Sequence, residues 1–295
     1  MKINKPQFPI YIPSKGRWDI KGYTSDNLSI MGLNHYIIVE EQQYENYKYA
    51  YQNNKYVTLL ILDKKYQDEY DTFDDLGYTK SKGPGAARNF AWDHSIKNGF
   101  DWHWVMDDNI MSFKIHNDNR QIISHTGIIF KIMEDFCLRY KNIAMSGPDY
   151  YMFVPRKYDH PPYILNTRIY SCNLIRNDIP YRWRGRYNED TDLSLRILKD
   201  GWCTIQFVMF LQEKLTTQKL YGGNNEDFYK NDGTYNKSKM IKEMHPDIAK
   251  IKWKFNRIHH YVDYTIFQKN KLIFKEDYIK KQGINNYGIK LIEIN

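Results

Sequence analysis

Short apolar runs alternate with polar stretches of helical period through the first two thirds of the chain. Pro9-Ile10-Tyr11-Ile12-Pro13 is a strand-like run with proline at both ends, where a missing amide does least harm. It opens into the polar turn Ser14-Lys15-Gly16-Arg17. Residues 20–31 have helical spacing and stop at Gly32, and the second apolar run, 35–39, ends at Glu40-Glu41. A polar helix with Tyr44, Tyr47 and Tyr51 on one face precedes a third strand at 57–62.

Lys82-Gly83-Pro84-Gly85-Ala86-Ala87-Arg88-Asn89 then begins a helix, with Pro84 in its first turn and Asn98-Gly99 at its end. The apolar run Trp102-His103-Trp104-Val105-Met106 breaks off at Asp107-Asp108-Asn109. Ile128, Ile129, Ile132, Met133 and Phe136 mark one face of a helix over 127–140. Strands are expected at 143–145, ending at Ser146-Gly147-Pro148, at 169–174 and at 203–211, with a helix over 191–198 before Gly201. Alternating strands and helices imply an α/β fold, a mainly parallel sheet covered by helices. Ligands in such sheets bind outside the carboxyl ends of the strands, so Ser14 to Arg17, Glu40, Asp107, Asp108 and Ser146 are expected on one rim.

The remainder has a different texture. Gly222-Gly223-Asn224-Asn225 and many lysines suggest loops and an amphipathic helix, and Trp253 and Ile258 suggest a packed helix across 253–261. The expected division is a core over 1–211 and a basic helical and loop extension over 212–295, packed on the core rather than independent. No internal repeat is present.

A chain of 295 residues, 42% hydrophobic and 26% charged, is an ordinary globular protein. No apolar run reaches bilayer length and the N-terminus shows no signal-peptide core, so the expected setting is cytoplasmic, without a membrane. Three scattered cysteines without metal spacing point to reduced, buried thiols. A net charge of +8 fits a polyanionic partner, although an AT-rich coding sequence would also enrich lysine.

Chemistry concentrates in two acidic clusters, Asp107-Asp108-Asn109 and Asn188-Glu189-Asp190-Thr191-Asp192. Either cluster alone is explained by turn and helix-cap preferences. Together they suggest a divalent metal held by hard oxygen ligands, Asp107 and Asp108, with a general base nearby. Asp190 is the best base candidate, Glu189 would orient an acceptor, and Asp192 would be a helix N-terminal charge. Lys82, Arg88 and the amides opening the helix at Gly83 offer an anion site. Directly before the base candidate lies Tyr181-Arg182-Trp183-Arg184-Gly185-Arg186-Tyr187, whose interleaved arginines and aromatics suit a nucleic-acid surface.

The ordered set Ser14 to Arg17, Gly83 to Asn89, Met106 to Asn109 and Glu189-Asp190-Thr191-Asp192-Leu193 resembles the GT-A glycosyltransferases. More narrowly it is similar to the TET/JBP-associated branch found in bacteriophages that sugar-modify their DNA. The resemblance covers roughly residues 9–211, with a looser echo at 257–264. Glu189 to Leu193 with Arg196 belongs to the wider superfamily. The resemblance implies a GT-A, Rossmann-like fold and an inverting transfer of glucose or arabinose from a UDP-sugar. The implied acceptor is the hydroxymethyl group of 5-hydroxymethylcytosine in DNA.

By position, Asp107 and Asp108 match the metal and sugar-nucleotide motif, served by Mn2+ or Mg2+. Asp190 matches the base, Arg88 an arginine near the nucleotide, and Ser14, Lys15, Arg17 and Glu40 the nucleoside contacts. Asn109 stands where the family often has a third acid. A C-terminal histidine commonly assists the metal, for which His245, His259 and His260 compete, His260 being preferred. Arg182, Trp183, Arg184 and Arg186 are the expected DNA contacts. The competing readings are a polysaccharide or lipid-linked acceptor, a metal-dependent nuclease, and a non-catalytic DNA-binding module.

Overall fold

The computed structural model describes residues 5–157, 161–215, 235–254 and 256–279. The glycine-rich run at 222–225 lies outside them. The centre is a ten-stranded sheet in the order β3-β2-β1-β4-β9-β7-β10-β5-β6, with β8 also pairing β10. Its strands are β1 (Ile10–Pro13), β2 (His35–Val39), β3 (Val57–Ile61), β4 (Trp102–Met106), β5 (Ile110–Asn117), β6 (Arg120–Ile123), β7 (Ile143–Tyr150), β8 (Tyr163–Leu165), β9 (Cys172–Arg176) and β10 (Cys203–Lys214). Pairing directions make β1 to β4, β6, β7 and β10 point one way. Helices α1 (Thr24–Ile30), α2 (Tyr44–Tyr51), α3 (Lys64–Asp68), α4 (Gly85–Lys97), α5 (Ile128–Cys137) and α6 (Glu189–Lys199) flank it. The mixed α/β, mostly parallel architecture is that of a Rossmann-like GT-A fold.

Strand alternation builds two cores, one per face. Ile10, Ile12, Trp104 and Met106 meet Ile129, Phe130, Met133 and Cys137 of α5 on one side. Tyr11, Val105 and Ile175 meet Ala91 and Trp92 of α4 and Leu193 and Ile197 of α6 on the other. All three cysteines are free and buried. On the α5 side, Glu134 is fully buried and accepts hydrogen bonds from the backbone amides of Gln7 and Phe8 and from Trp104 Nε1. One carboxylate thereby fastens the N-terminal segment to helix and sheet.

Several expectations change. β7 runs on to Tyr150 instead of stopping at residue 145, because Gly147 lets it pass β9 closely: a Cβ there would lie 2.1 Å from the Cys172 carbonyl oxygen. Ser146 is consequently internal to a strand and bonded by the Cys137 thiol, not on the rim. β9 starts later than expected and runs antiparallel between β4 and β7, and β5, β6 and β8 are additional strands.

The helix expected over 253–261 is instead a hairpin of β11 (Ala249–Lys254) and β12 (Arg257–Val262). Lys250, Lys252 and Lys254 alternate with Ala249, Ile251 and Trp253, a period of two that suits a strand rather than a helix. The extension does contain a helix, α7 (Tyr235–Met244), against which the hairpin packs. Ile248 and Phe267 bury against Leu195 and Leu198 of α6, and the Phe274 ring stacks on Tyr140.

Burial raises the Glu134 pKa from 4.5 to about 7, outweighing the three N–H donors. The folded state therefore holds this proton more tightly than the unfolded chain. The Glu134 contribution to stability should be full at pH 4.5 and below and decline as pH rises to about 7. Urea unfolding across this window should show that decline in the native chain and a flatter profile in Glu134→Gln.

Candidate active site

One large cavity, about 810 Å³, opens along the rim where β1, β2, β4, β7 and β10 end and β9 begins. Ser14, Lys15, Arg17, Glu40, Lys82, Arg88, Asp107, Asp108, Glu189, Asp190 and His260 all line it. The sequence-predicted donor, base and histidine candidates are thus brought together. Its wall carries nine Lys and Arg against five Asp and Glu, a surplus suited to an anionic ligand.

At the β1 edge, Ser14 Oγ donates to Asp108 Oδ2 at 2.7 Å, and Arg17 pairs with the other Asp108 oxygen. Tyr47 from α2 reaches this turn, its hydroxyl 2.8 Å from Ser14 Oγ and accepting from the Arg17 amide at 3.1 Å. Lys15 lies 3.4 Å from Glu40. Lys82 donates to the Gln67 carbonyl at 2.6 Å, with its ammonium 4.1 Å from the Tyr78 ring centroid.

In the middle, Asp107 holds two cations. Arg88 donates to Oδ1 at 2.7 Å and Lys214, at the end of β10, bonds Oδ2. Burial alone would raise the Asp107 pKa, but Lys214 and Arg88 hold it well below the usual carboxylate range. Burial would likewise lower that of Lys214, and the attraction of Asp107 keeps it charged, above its ordinary value. Asp108 moves the other way, raised by burial against the opposing Arg17 and Ser14.

Arg88 is 3% exposed, and its second arm donates to Glu189 Oε1 at 2.9 Å. Burial pushes the Glu189 pKa up to about 7, with Arg88 opposing and Asp190 reinforcing. Asp190 Oδ1 accepts from the Thr191 amide at 2.7 Å. Asp190 Oδ2 has no bonding partner among the described residues. The N-cap of α6 is Asn188, in the left-handed region at φ 54°, so Asp190 is not the cap.

Another part of the wall is aromatic. Tyr150 and Tyr170 sit 4.7 Å apart between ring centroids, Phe153 meets Tyr150 edge-on at 5.7 Å, and the Arg168 guanidinium lies 5.1 Å from the Tyr170 centroid. Ser171 Oγ ties this wall to the cationic centre, 3.0 Å from the Tyr150 hydroxyl and 3.1 Å from Lys214 Nζ. Sequence reasoning missed Lys214, Tyr150, Phe153, Arg168, Tyr170 and Lys237. Lys214 had no local signal, since Gln212-Glu213-Lys214 reads as polar chain after a strand, while β10 continues through it with a bulge at Glu213/Lys214.

The donor set does not fit a divalent cation held by the protein. All four oxygens of Asp107 and Asp108 are engaged by Arg88, Lys214, Arg17 and Ser14. Asn109, third in the run, is neutral and 8% exposed. Among the described residues no three His, Cys, Asp or Glu side chains form a metal-binding group. Of the competing histidines, His260 lines the cavity, its pKa lowered to about 3 by burial and by Arg168 and Lys237. His245 instead bonds Asp192 at 2.9 Å, away from Asp107 and Asp108, and His259 receives a bond from Arg257.

The arginine-aromatic loop is not the exposed surface expected. Trp183 is 2% exposed and packs under Arg88, 4.7 Å from guanidinium carbon to ring centroid. Arg186 is 1% exposed; it forms a two-pronged pair with Asp74 and donates to the carbonyls of Gly77, Lys80 and Ser81. Arg184 pairs with Asp192 at 3.1 Å. Arg182 is 40% exposed and faces Asp93 at 3.5 Å. Arg186→Ala should therefore act on folding, costing about 3 kcal/mol or more in urea unfolding. Loss of DNA affinity without loss of stability would contradict this.

No helix among the described residues is long and apolar enough to cross a membrane. No curated protein matches the chain. A family model described as TET-Associated Glycosyltransferase matches residues 8–223, from before β1 to past the end of β10. This span carries both acidic clusters and every strand of the central sheet, and with it the chain belongs to the TET-associated glycosyltransferases, sugar-transferring enzymes linked to TET/JBP-type DNA modification.

Proposed function

We propose that the protein transfers glucose or arabinose from a UDP-sugar to the hydroxymethyl group of 5-hydroxymethylcytosine in DNA, with inversion. The observation that carries this reading is Asp190, a carboxylate with one unpartnered oxygen in a cavity that also holds a cationic centre and an aromatic patch. The nucleoside occupies the β1–β2 side, near Ser14, Lys15, Arg17 and Glu40. The diphosphate lies against Lys214, Arg88 and Lys82, and the acceptor base against Tyr150, Phe153 and Tyr170, whose rings offer stacking faces.

Asp190 Oδ2 takes the proton of the acceptor hydroxyl as that oxygen bonds to the anomeric carbon. The bond from that carbon to the diphosphate breaks, and its electron pair leaves with the diphosphate. Fixed cations stabilise the charge appearing there, and because they are already oriented they need little reorganisation. No step here runs through a metal.

Two substitutions separate the roles. Asp190→Asn should lose about a hundredfold or more in transfer rate while UDP affinity stays within about twofold. Transfer near the native rate, followed by mass analysis of nucleosides, would remove Asp190 as the base. Lys214→Met should weaken UDP binding about tenfold or more by calorimetry, without added metal. A comparable gain in UDP affinity on adding Mn2+ to the native chain would show that a cation displaces the present partners of Asp107 and Asp108.

A further inference from the structure

The hairpin β11–β12 sorts its residues by face. Its register sets Lys250 opposite Tyr261, Lys252 opposite His259 and Lys254 opposite Arg257, and cross-strand partners share a face. The opposite face carries Ile251 against His260 and Ala249 against Val262. That second face turns inward: Ala249 is 1% exposed, Val262 packs on the Leu195 and Phe267 cluster, and His260 lines the catalytic cavity.

The first face is cationic. Lys250, Lys252, Lys254 and Arg257 are all exposed, and the hairpin contains no Asp or Glu. Among the described residues none of the four lies within ion-pair distance of a carboxylate. Lys254 directly faces Arg257, a like-charge pairing that costs stability unless a counter-charge is supplied from outside. Lys252 sits 3.7 Å from the Tyr261 ring centroid.

We propose that this face binds the phosphate backbone of duplex DNA and so holds the acceptor strand beside the cavity; the assignment rests on DNA being the acceptor. Successive lysines stand about 6.7 Å apart along the strand, forming a row rather than a point charge. Backbone contacts of this kind fix position and carry no sequence information. The hairpin thus takes the role that buried Trp183 and Arg186 leave open.

The test uses the full chain and a labelled duplex, read by fluorescence anisotropy over a salt series, with no sugar donor. Lys250→Ala, Lys252→Ala and Lys254→Ala combined should reduce the slope of log affinity against log salt by about 2 to 3. UDP affinity should not change. The same charge removed as Lys48→Ala, Lys64→Ala and Lys65→Ala, three lysines also exposed, should leave the slope intact. An unchanged slope in the hairpin variant, or an equal drop in the control, overturns the proposal. So does intact DNA binding with lost binding to phosphatidylserine vesicles, which would assign the face to an anionic membrane surface. Failure of sugar transfer with hairpin-dependent DNA binding preserved would instead overturn the catalytic reading alone.

Discussion

The Arg88 guanidinium is the interaction on which the site depends. A buried cation is costly unless carboxylates satisfy it, and Arg88 finds one on each side, Asp107 at the end of β4 and Glu189 at the start of α6. Neither carboxylate is close to Arg88 in sequence, so satisfying the charge fixes a strand end, a helix start and the helix carrying Arg88 relative to one another. Trp183 closes the remaining face of the guanidinium. The raised Glu189 pKa, about 7, makes this link sensitive to protonation near neutrality, whereas the Asp107 arm stays ionic throughout.

The partners that each acid finds then explain why one of three is left for chemistry. Glu189 and Asp190 both line the cavity, and Asp192, further along the first turn, does not. Glu189 is held by Arg88. Asp192 is fully buried and held by Arg184, Arg196 and His245, which ties α6 to the preceding loop and to the end of α7. The two engaged acids orient the first turn, and Asp190 presents an unpartnered oxygen on the cavity wall. The expectation of Asp192 as a simple helix-end charge missed this because its partners lie on separate segments.

Local pattern made much of the fold legible. β1, β2 and β4 stood out because buried strands bounded by Pro, Glu and Asp have sharp edges in sequence, β3 was marked by its apolar run, and α4 and α6 carried their own start signals. β5, β6 and β8 did not, since their exposed positions break the alternation, as at Ile122 and Ile123. The position of β9 is a pairing decision made between distant segments, and no local period encodes it. Asp107 and Asp108 were visible as a cluster ending an apolar run, and Asp190 as part of one opening an amphipathic stretch. Lys214 was not, because only its meeting with Asp107 across the sheet gives it a role. Arg182 to Arg186 misled for the converse reason: composition suggested a surface, while tertiary partners for Arg184 and Arg186 drew the loop inward.

Charge distinguishes the competing activities. A two-metal nuclease needs carboxylates that converge on open space and remain available to cations. Here Asp107 and Asp108 are already neutralised by Arg17, Arg88 and Lys214, and the cavity as a whole carries surplus positive charge. Such a wall attracts an anion and holds it as further charge develops, as departure of a diphosphate requires. A non-catalytic module would have no need for a solvent-facing carboxylate oxygen within that cationic wall. Asp190 occupies such a place, with Arg168, which also lies against the Tyr170 ring, near enough to influence its field. Cation surplus, one unengaged carboxylate oxygen and an aromatic face line a single cavity on the sheet rim, and group transfer between an anionic donor and a ring-bearing acceptor uses all three.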